Sequence, residues 1–398
     1  MIGPALLLML AAAADTPPYA VAPGVFDPAQ PDLGLAPPAG TETATIYAPG
    51  GVGDRFSNGV VLIGFKGRLY AQWQSSALHE DTADTWVPYA VSRDGLTWGA
   101  PRKLRGPGSG GVMHSNGGWW TDGKTLVAYI NVWPTGFQSK AGGYTEYMTS
   151  ADGEHWSAPR RVMGRDGKPV EGVIEQDPHR LPDGRIVTAF HTRPGLIVAP
   201  FFTDDPLGIS GWVRGRMDNL PLTGPDAGKF SREIEPSLFL RGRCAVMVFR
   251  DHAESFRQLA SESCDRGESW SRPALTNMPD SRAKQSAGNL PDGTAFLVNA
   301  PNADRIRIPL AVTLSGDGRC FDRSFLLRGK GDLQPLRAAG TYKRPGYSYP
   351  KSVIWKGHLY VGYAANKEDA QLTRVPLASL AARPGTWLPR CPASNEEK

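Results

Sequence analysis

Short, strongly apolar runs bounded by turn residues recur along the whole chain, a pattern that predicts β-strands rather than helices. Six of these runs are the clearest: Arg68–Gln74, Thr125–Asn131, Arg185–His191, Cys244–Arg250, Thr294–Asn299 and His358–Tyr363. Each follows a pair ending in glycine: Lys66-Gly67, Asp122-Gly123, Asp183-Gly184, Arg241-Gly242, Asp292-Gly293 and Lys356-Gly357. Such a pair between two extended runs is a hairpin signal, because glycine takes the positive φ that the turn demands. The partner strands begin near Ser57, Val112, Val173, Glu233, Gln285 and Tyr349. A third strand and a short fourth then complete each unit.

A second motif marks the end of the third strand. Ser263-Cys264-Asp265-Arg266-Gly267-Glu268-Ser269-Trp270 reads S-x-D-x-G-x-x-W. Shorter forms stand at Ser92–Trp98 and Ser150–Trp156, with Phe321 replacing Trp in Ser315–Phe321 and a degenerate copy from Thr203 to Trp212. Asp and Ser side chains bond nearby amides in such a turn, glycine accepts positive φ, and the aromatic plugs the gap between sheets. The spacing is roughly 50 to 60 residues, the period of a propeller. The chain therefore reads as all-β, a single β-propeller of six four-stranded blades. Seven would follow if the terminal segments formed one more. The last unit, Tyr349–Leu377, lacks a fourth strand, and Thr43–Tyr47 would supply it and close the ring.

Composition agrees: 46 Gly, 35 Pro and 11 Trp in 398 residues favour turns and short strands. Net charge is +5 without a Lys/Arg run, which argues against nucleic acid as a partner while leaving an acidic ligand open. The apolar stretch Ala5–Ala14 ends in Ala12-Ala13-Ala14, so residues 1–14 read as a secretory signal, 15–42 as a lead-in and 43–398 as the propeller. A periplasmic or secreted monomer is expected. No later run is long enough to span a bilayer. Four cysteines fit two disulfides: Cys244 with Cys264 on paired strands, and Cys320 with Cys391 pinning the C-terminal tail. There is no C-x-x-C or H-x-x-x-H spacing for a metal.

Topology locates the chemistry. In a propeller the first strand of each blade lines the channel, and its start shares a face with the loop after the second strand. The X-Gly turns and S-x-D turns lie on the other face, so the latter are structural. The mouth should carry His114, Asn116, Glu175, Gln176, Glu235, Lys284, Asn289, Tyr349 and Lys351 from the first strands. It should also carry His79, Trp133, His191, Arg193, Arg250 and Lys367 from the second-strand ends. Polar groups converging on a channel mouth suit a ligand. The cations suit a carboxylate or sulfate, the acids sugar hydroxyls, and the aromatics a sugar ring.

On its S-x-D motifs the chain resembles the sialidase-like BNR-repeat (Asp-box) propellers, over about 43 to 380. The arginine motif that opens true sialidases is matched only by Arg305-Ile306-Arg307-Ile308-Pro309, which lies in a different repeat. The sequence alone assigns neither that family's arginine triad nor its Tyr/Glu nucleophile pair. Gly111–Gly118, Tyr349–Lys351 and Asn366–Asp369 are more similar to a branch acting on uronate polysaccharides: ulvan lyases, rhamnosyl-glucuronate lyases and related rhamnosidases. That branch implies seven blades, and β-elimination at a 4-linked glucuronate of an acidic oligo- or polysaccharide. His114 would be base or acid, with Tyr349 or His191 as partner, and Arg193 or Arg250 would neutralise the carboxylate. No cofactor is assigned; a bound divalent cation, Ca²⁺ or Zn²⁺, could share the neutralising task. The alternatives are a sialidase-like or rhamnosidase-type hydrolase, with Glu175 and Glu235 available as carboxylates, and a non-catalytic glycan-binding propeller.

Overall fold

The computed structural model describes residues 16–50, 53–137, 141–175, 178–381 and 391. The expected signal, residues 1–14, and Gln176 lie outside the described residues. Six sheets form a ring. Their inner strands are Phe56–Phe65, Met113–Thr121, Gly172–Ile174 continued by His179–Arg180, Glu233–Arg241, Ser286–Asn289 and Tyr347–Trp355. Each pairs antiparallel with the next strand, and the third and fourth follow in order outward. The second strands are Arg68–Ser76, Leu126–Trp133, Ile186–Thr192, Cys244–Asp251, Ala295–Asn299 and His358–Ala365. They fall where the apolar runs place them.

The ring closes as the sequence suggests. Glu42–Tyr47 pairs with Asp369–Pro376, so blade 6 takes its outer strand from the N-terminal end. Closure removes the exposed edges that an open sheet would offer to other chains. The repeat count of six holds, and the seventh blade implied by the lyase branch is absent among the described residues.

The S-x-D turns join neighbouring blades. In the first, Asp94 Oδ1 accepts the Leu96 and Thr97 amides at 2.9 and 2.8 Å, and Ser92 Oγ accepts the Gly95 amide at 2.8 Å. Ser150–Asp152, Ser263–Asp265 and Ser315–Asp317 repeat the Ser-to-Asp bond at 2.8–3.0 Å. A tyrosine on the second strand of the preceding blade docks on the turn: Tyr70 Oη reaches Asp152 O at 3.3 Å and Tyr360 Oη reaches Asp94 O at 3.4 Å. Glycine is obligatory there. Gly153 has φ 77°, and a β-carbon would sit 2.2 Å from Tyr70 Oη. Apolar clusters fill the gaps between sheets, with Trp73, Tyr70, Tyr129, Phe190 and Phe249 almost wholly buried.

Two disulfides form, Cys244–Cys264 and Cys320–Cys391, each as paired from the sequence. Part of the lead-in packs inside the ring's wall. Ala20–Val21 runs parallel to Cys320–Phe321, and the Tyr19 ring lies 5.1 Å from Phe321 and 6.0 Å from Phe239. No helix of the described residues is long and apolar enough to cross a membrane.

Candidate active site

A cavity of about 390 Å³ opens at the channel mouth, within the range of small-molecule sites. It is lined by the starts of the inner strands, the ends of the second strands and the loops between. Of the expected site residues, His191, Arg250, Tyr349, Asn116, Trp133, Glu175, Glu235, Lys284 and Lys367 line it. His114, Arg193, His79, Asn289 and Lys351 do not.

The misses have local causes. Met113 and Ser115 face the cavity, and strand alternation turns His114 between them the other way. Its Nδ1–H donates to Gly106 O at 2.8 Å, in a separate groove with Arg105, Tyr144 and Glu146. Burial pushes the His114 imidazole below its ordinary value. Arg193 lies one residue past its strand, in an outer groove, where Nη1 pairs with Glu171 at 3.1 Å. The expectation that His114 and Arg193 share one mouth is therefore corrected. His79 is spent accepting the Thr341 amide at 3.0 Å. Asn289 bridges inner strands at the X-Gly end, bonding Leu240 N and O at 2.7 and 2.9 Å. Lys351 is buried, shifted off the cavity face by a bulge after Ser348.

That bulge recurs. The inner-strand register slips between Asn58 and Val61, between Ile234 and Ser237, and between Ser348 and Lys351. The extra residues are Gly59, Glu235 and Tyr349, at φ 68°, 54° and 55°. Glycine takes such a backbone freely; a residue with a β-carbon pays about 1–2 kcal/mol. Pro236 and Pro350 follow the strained residues, at a point where no ladder amide is needed. Strain of this kind clusters at working sites. Among the described residues, six of the fourteen non-glycine residues with positive φ line this one cavity, Asp81 at φ 62° among them.

The strained Glu235 is held from both sides. Its amide donates to His191 Nε2 at 3.2 Å, and its carbonyl accepts from Gln285 Nε2 at 3.0 Å. His191 carries its proton on Nδ1, facing Glu175 at 2.7 Å, and Glu175 pairs with Lys284 at 2.9 Å. Both ring nitrogens of His191 are thus committed to the protein. Burial opposes ionisation of Glu175, but Lys284 and His191 outweigh it and hold the carboxyl well below the carboxylate range. The Glu235 carboxylate pairs with Arg250 at 2.9 Å; burial again opposes, and Arg250 and Lys284 leave its pKa lowered.

Cations gather at Tyr349. Arg307 lies 4.9 Å from the ring centre, Lys367 5.2 Å and Lys284 5.5 Å. Arg307 also donates to Ser348 Oγ at 2.8 Å. The Nε of Arg250 and of Arg307 is buried with no partner among the described residues. Arg344 lines the same cavity and makes no ion pair there among the described residues. Burial and the Arg307 guanidinium push it below its ordinary value.

Asp81 stands apart. Burial, with the neighbouring Glu80 carboxylate, raises its pKa to about 8 against the pull of Lys367. Glu80 itself is engaged by Lys367 and by Asn58 Nδ2, the latter at 2.8 Å. The cavity also has an apolar part of Met113, Trp133, Val173 and Leu196, with Phe137 and Phe230 against it.

Asp81, Arg307 and Arg344 escaped the sequence reading. Asp81 follows His79 by two residues in the mouth-side loop after a second strand, a position where function concentrates. Arg307 belongs to the R-I-R-I-P stretch in an unexpected repeat. Arg344 sits in an irregular loop without a pattern. Among the described residues the one cluster with metal-ligand spacing is Cys244, Glu262 and Cys264, and its sulfurs form a disulfide.

The sequence profile of the BNR repeat-like domain matches residues 67–361. No curated protein matches the sequence. Among solved structures, a sialidase superimposes with TM-score 0.66 at 17% identity, over 91% of this chain and 35% of its own. The chain thus spans about a third of that protein's length. The intramolecular trans-sialidase from Ruminococcus gnavus in complex with oseltamivir carboxylate gives TM-score 0.62 at 14% identity, over 86% of this chain and 99% of its own. The Trypanosoma rangeli sialidase in complex with sialic acid gives 0.60 at 13%, over 87% and 60%. At these identities the likeness is one of fold.

Proposed function

The chain belongs to the BNR repeat-like domain family, and on that premise we propose that it is a carbohydrate-active enzyme cleaving the glycosidic bond of a carboxylate-bearing sugar. One observation carries the reading: Arg250, Arg307 and Arg344, the cation-ringed Tyr349, and Asp81, whose carboxyl is pushed up by burial, line one cavity. Arg250, Arg307 and Arg344 would hold the sugar carboxylate, as guanidinium forks suit that group. Tyr349 would be the nucleophile, its ring set among the cations of Arg307, Lys367 and Lys284. The ionised Glu235 takes the phenolic proton as Tyr349 Oη attacks the anomeric carbon. The bond to the leaving oxygen breaks, and Asp81 gives that oxygen its proton. Water, deprotonated by the Asp81 carboxylate, then attacks the same carbon, and Tyr349 leaves and recovers its proton from Glu235. Retention of configuration follows from the two displacements.

The elimination reading draws on the same cluster. Arginines neutralising a uronate carboxylate acidify its neighbouring proton, and Tyr349 is the available base, since His191 is committed elsewhere. Secretion fits the two disulfides, which persist in oxidising compartments.

The test incubates the protein with sialosides and, separately, with uronate polysaccharides. Release of a reducing sugar with retained anomeric configuration by NMR supports hydrolysis. Ultraviolet absorbance from an unsaturated sugar without it favours elimination. Binding with neither product leaves the glycan-binding propeller and sinks the enzymatic proposal.

A further inference from the structure

Arg282 and Arg305 take no part in that chemistry, yet both line the same cavity. They come from the two mouth-side loops of blade 5. Both guanidiniums are held by one carboxylate, that of Glu254. Arg282 Nη2 also donates to His252 O at 3.0 Å, and its Nε is buried without a partner among the described residues. Arg282 adopts φ 56°, so the fold pays strain to keep it there. In the extended R-I-R-I-P stretch, alternate residues share a side. Arg305 and Arg307 therefore both reach the cavity while Ile306 stands 53% exposed.

Among the described residues lining the cavity, cationic side chains outnumber carboxylates. Glu235 is matched by Arg250, Glu175 by Lys284 and Glu80 by Lys367. Asp226 faces His252 at 3.4 Å. Glu254 can offset only one of its two arginines. A single sugar carboxylate held by Arg250, Arg307 and Arg344 leaves Arg282 and Arg305 facing the cavity with one carboxylate, that of Glu254, shared between them.

We infer that the substrate carries a second anionic group, and that Arg282 and Arg305 form its subsite. A sulfate ester, a phosphate ester or a second carboxylate shares the required chemistry, a planar or tetrahedral oxyanion taken by two guanidiniums. The inference rests on the acidic-sugar reading of this cavity and narrows its substrate class. Arg305, 52% exposed, would swing from Glu254 toward the ligand while Arg282 keeps its bond to that carboxylate.

Calorimetric titration tests it. The probes are N-acetylneuraminic acid and glucuronic acid, each plain and with one O-sulfate, O-phosphate or O-carboxymethyl group placed at each hydroxyl in turn. At least one doubly charged form should bind about tenfold tighter than its parent. The preference should shrink as salt is raised. Arg305→Gln, at an exposed site that spares folding, and Arg282→Gln should each erode it and leave affinity for the parent sugar unchanged. Tight binding of a parent sugar with no gain from any second anion overturns the subsite and leaves the acidic-sugar reading standing. A gain that survives both substitutions also overturns it. Failure of every acidic sugar to bind removes both.

Discussion

Asp81→Asn should stabilise this protein while disabling it, and the gain should grow with pH. The Asp81 carboxyl is raised to about 8 by burial and by Glu80, against an ordinary value of 3.8. Below about pH 4 both native and unfolded chains hold the proton, and the group favours neither. Between about pH 4 and 8 the native state keeps a proton that the unfolded chain has lost. Stability therefore falls by about 1.4 kcal/mol per pH unit in that window. Asparagine copies the protonated acid in shape and has no such titration. From pH 5 to 7 the variant should gain about 2–3 kcal/mol on the wild type, screening at the open mouth included. Urea unfolding followed by tryptophan fluorescence at pH 5, 6 and 7 reads this directly. Activity should move the other way. Glycosides with alkyl leaving groups need the acid and should lose kcat/KM, whereas phenolic leaving groups should keep kcat/KM and lose kcat, because the variant also lacks the base that deprotonates water. In the wild type, kcat/KM should decline on the alkaline side near pH 8. Parallel stability–pH curves for the two proteins, or wild-type cleavage of alkyl glycosides by the variant, would refute the assignment.

Other substitutions probe the scaffold of the site. Glu235→Gly and Glu235→Ala both strand the buried Arg250, at about 3–5 kcal/mol, and both should end activity. Because Glu235 has φ 54°, the Gly variant should be the more stable by about 1 kcal/mol, the reverse of the usual strand order; calorimetry decides. His191→Leu removes the acceptor for the Glu235 amide and should cost about 1–3 kcal/mol. Steady-state kinetics should show the loss in kcat with KM little changed, and an unaltered kcat would discard the pinning role. Gly153→Ala drives a β-carbon into Tyr70 across the blade 1–2 seam. It should destabilise by more than about 2 kcal/mol by thermal melting yet leave kcat intact at 25 °C, unless the S-x-D turns are functional.

The propeller was legible because its signals are local and repeated. Gly67, Gly123 and Gly357 mark hairpins by a backbone requirement that acts within two residues, and the second strands fell where those turns put them. The mouth was legible in part, for the same reason: starts of inner strands and ends of second strands share a face by topology, which brought in Glu175, Glu235, Arg250 and Tyr349. Which side chain of a strand turns inward depends on register, and register is where the sequence reading broke. His114 is one residue from Met113 and Ser115 and faces away. Lys351 follows Tyr349 by two and would share its face, had the bulge not intervened. Arg344 and Asp81 lie in loops whose course no periodicity encodes.

The three equivalent bulges explain why a repeat fold can carry one site rather than six. Gly59, Glu235 and Tyr349 occupy the same structural position in blades 1, 4 and 6, just after the residue that begins each channel-facing stretch. The scaffold asks only for a positive φ there, and glycine meets that demand without strain. In blades 4 and 6 the position instead bears a carboxylate and a phenol, each followed by a proline that fixes the bulge. A side chain installed at a strained backbone is placed more rigidly than one on a regular strand, because few alternative conformations remain to it. The His191–Glu175–Lys284 chain then pins the amide of Glu235, and Arg250 its carboxylate. Stability is given up at two of the three bulges, and what is obtained is a carboxylate and a phenol held in fixed positions in a cavity lined by cations.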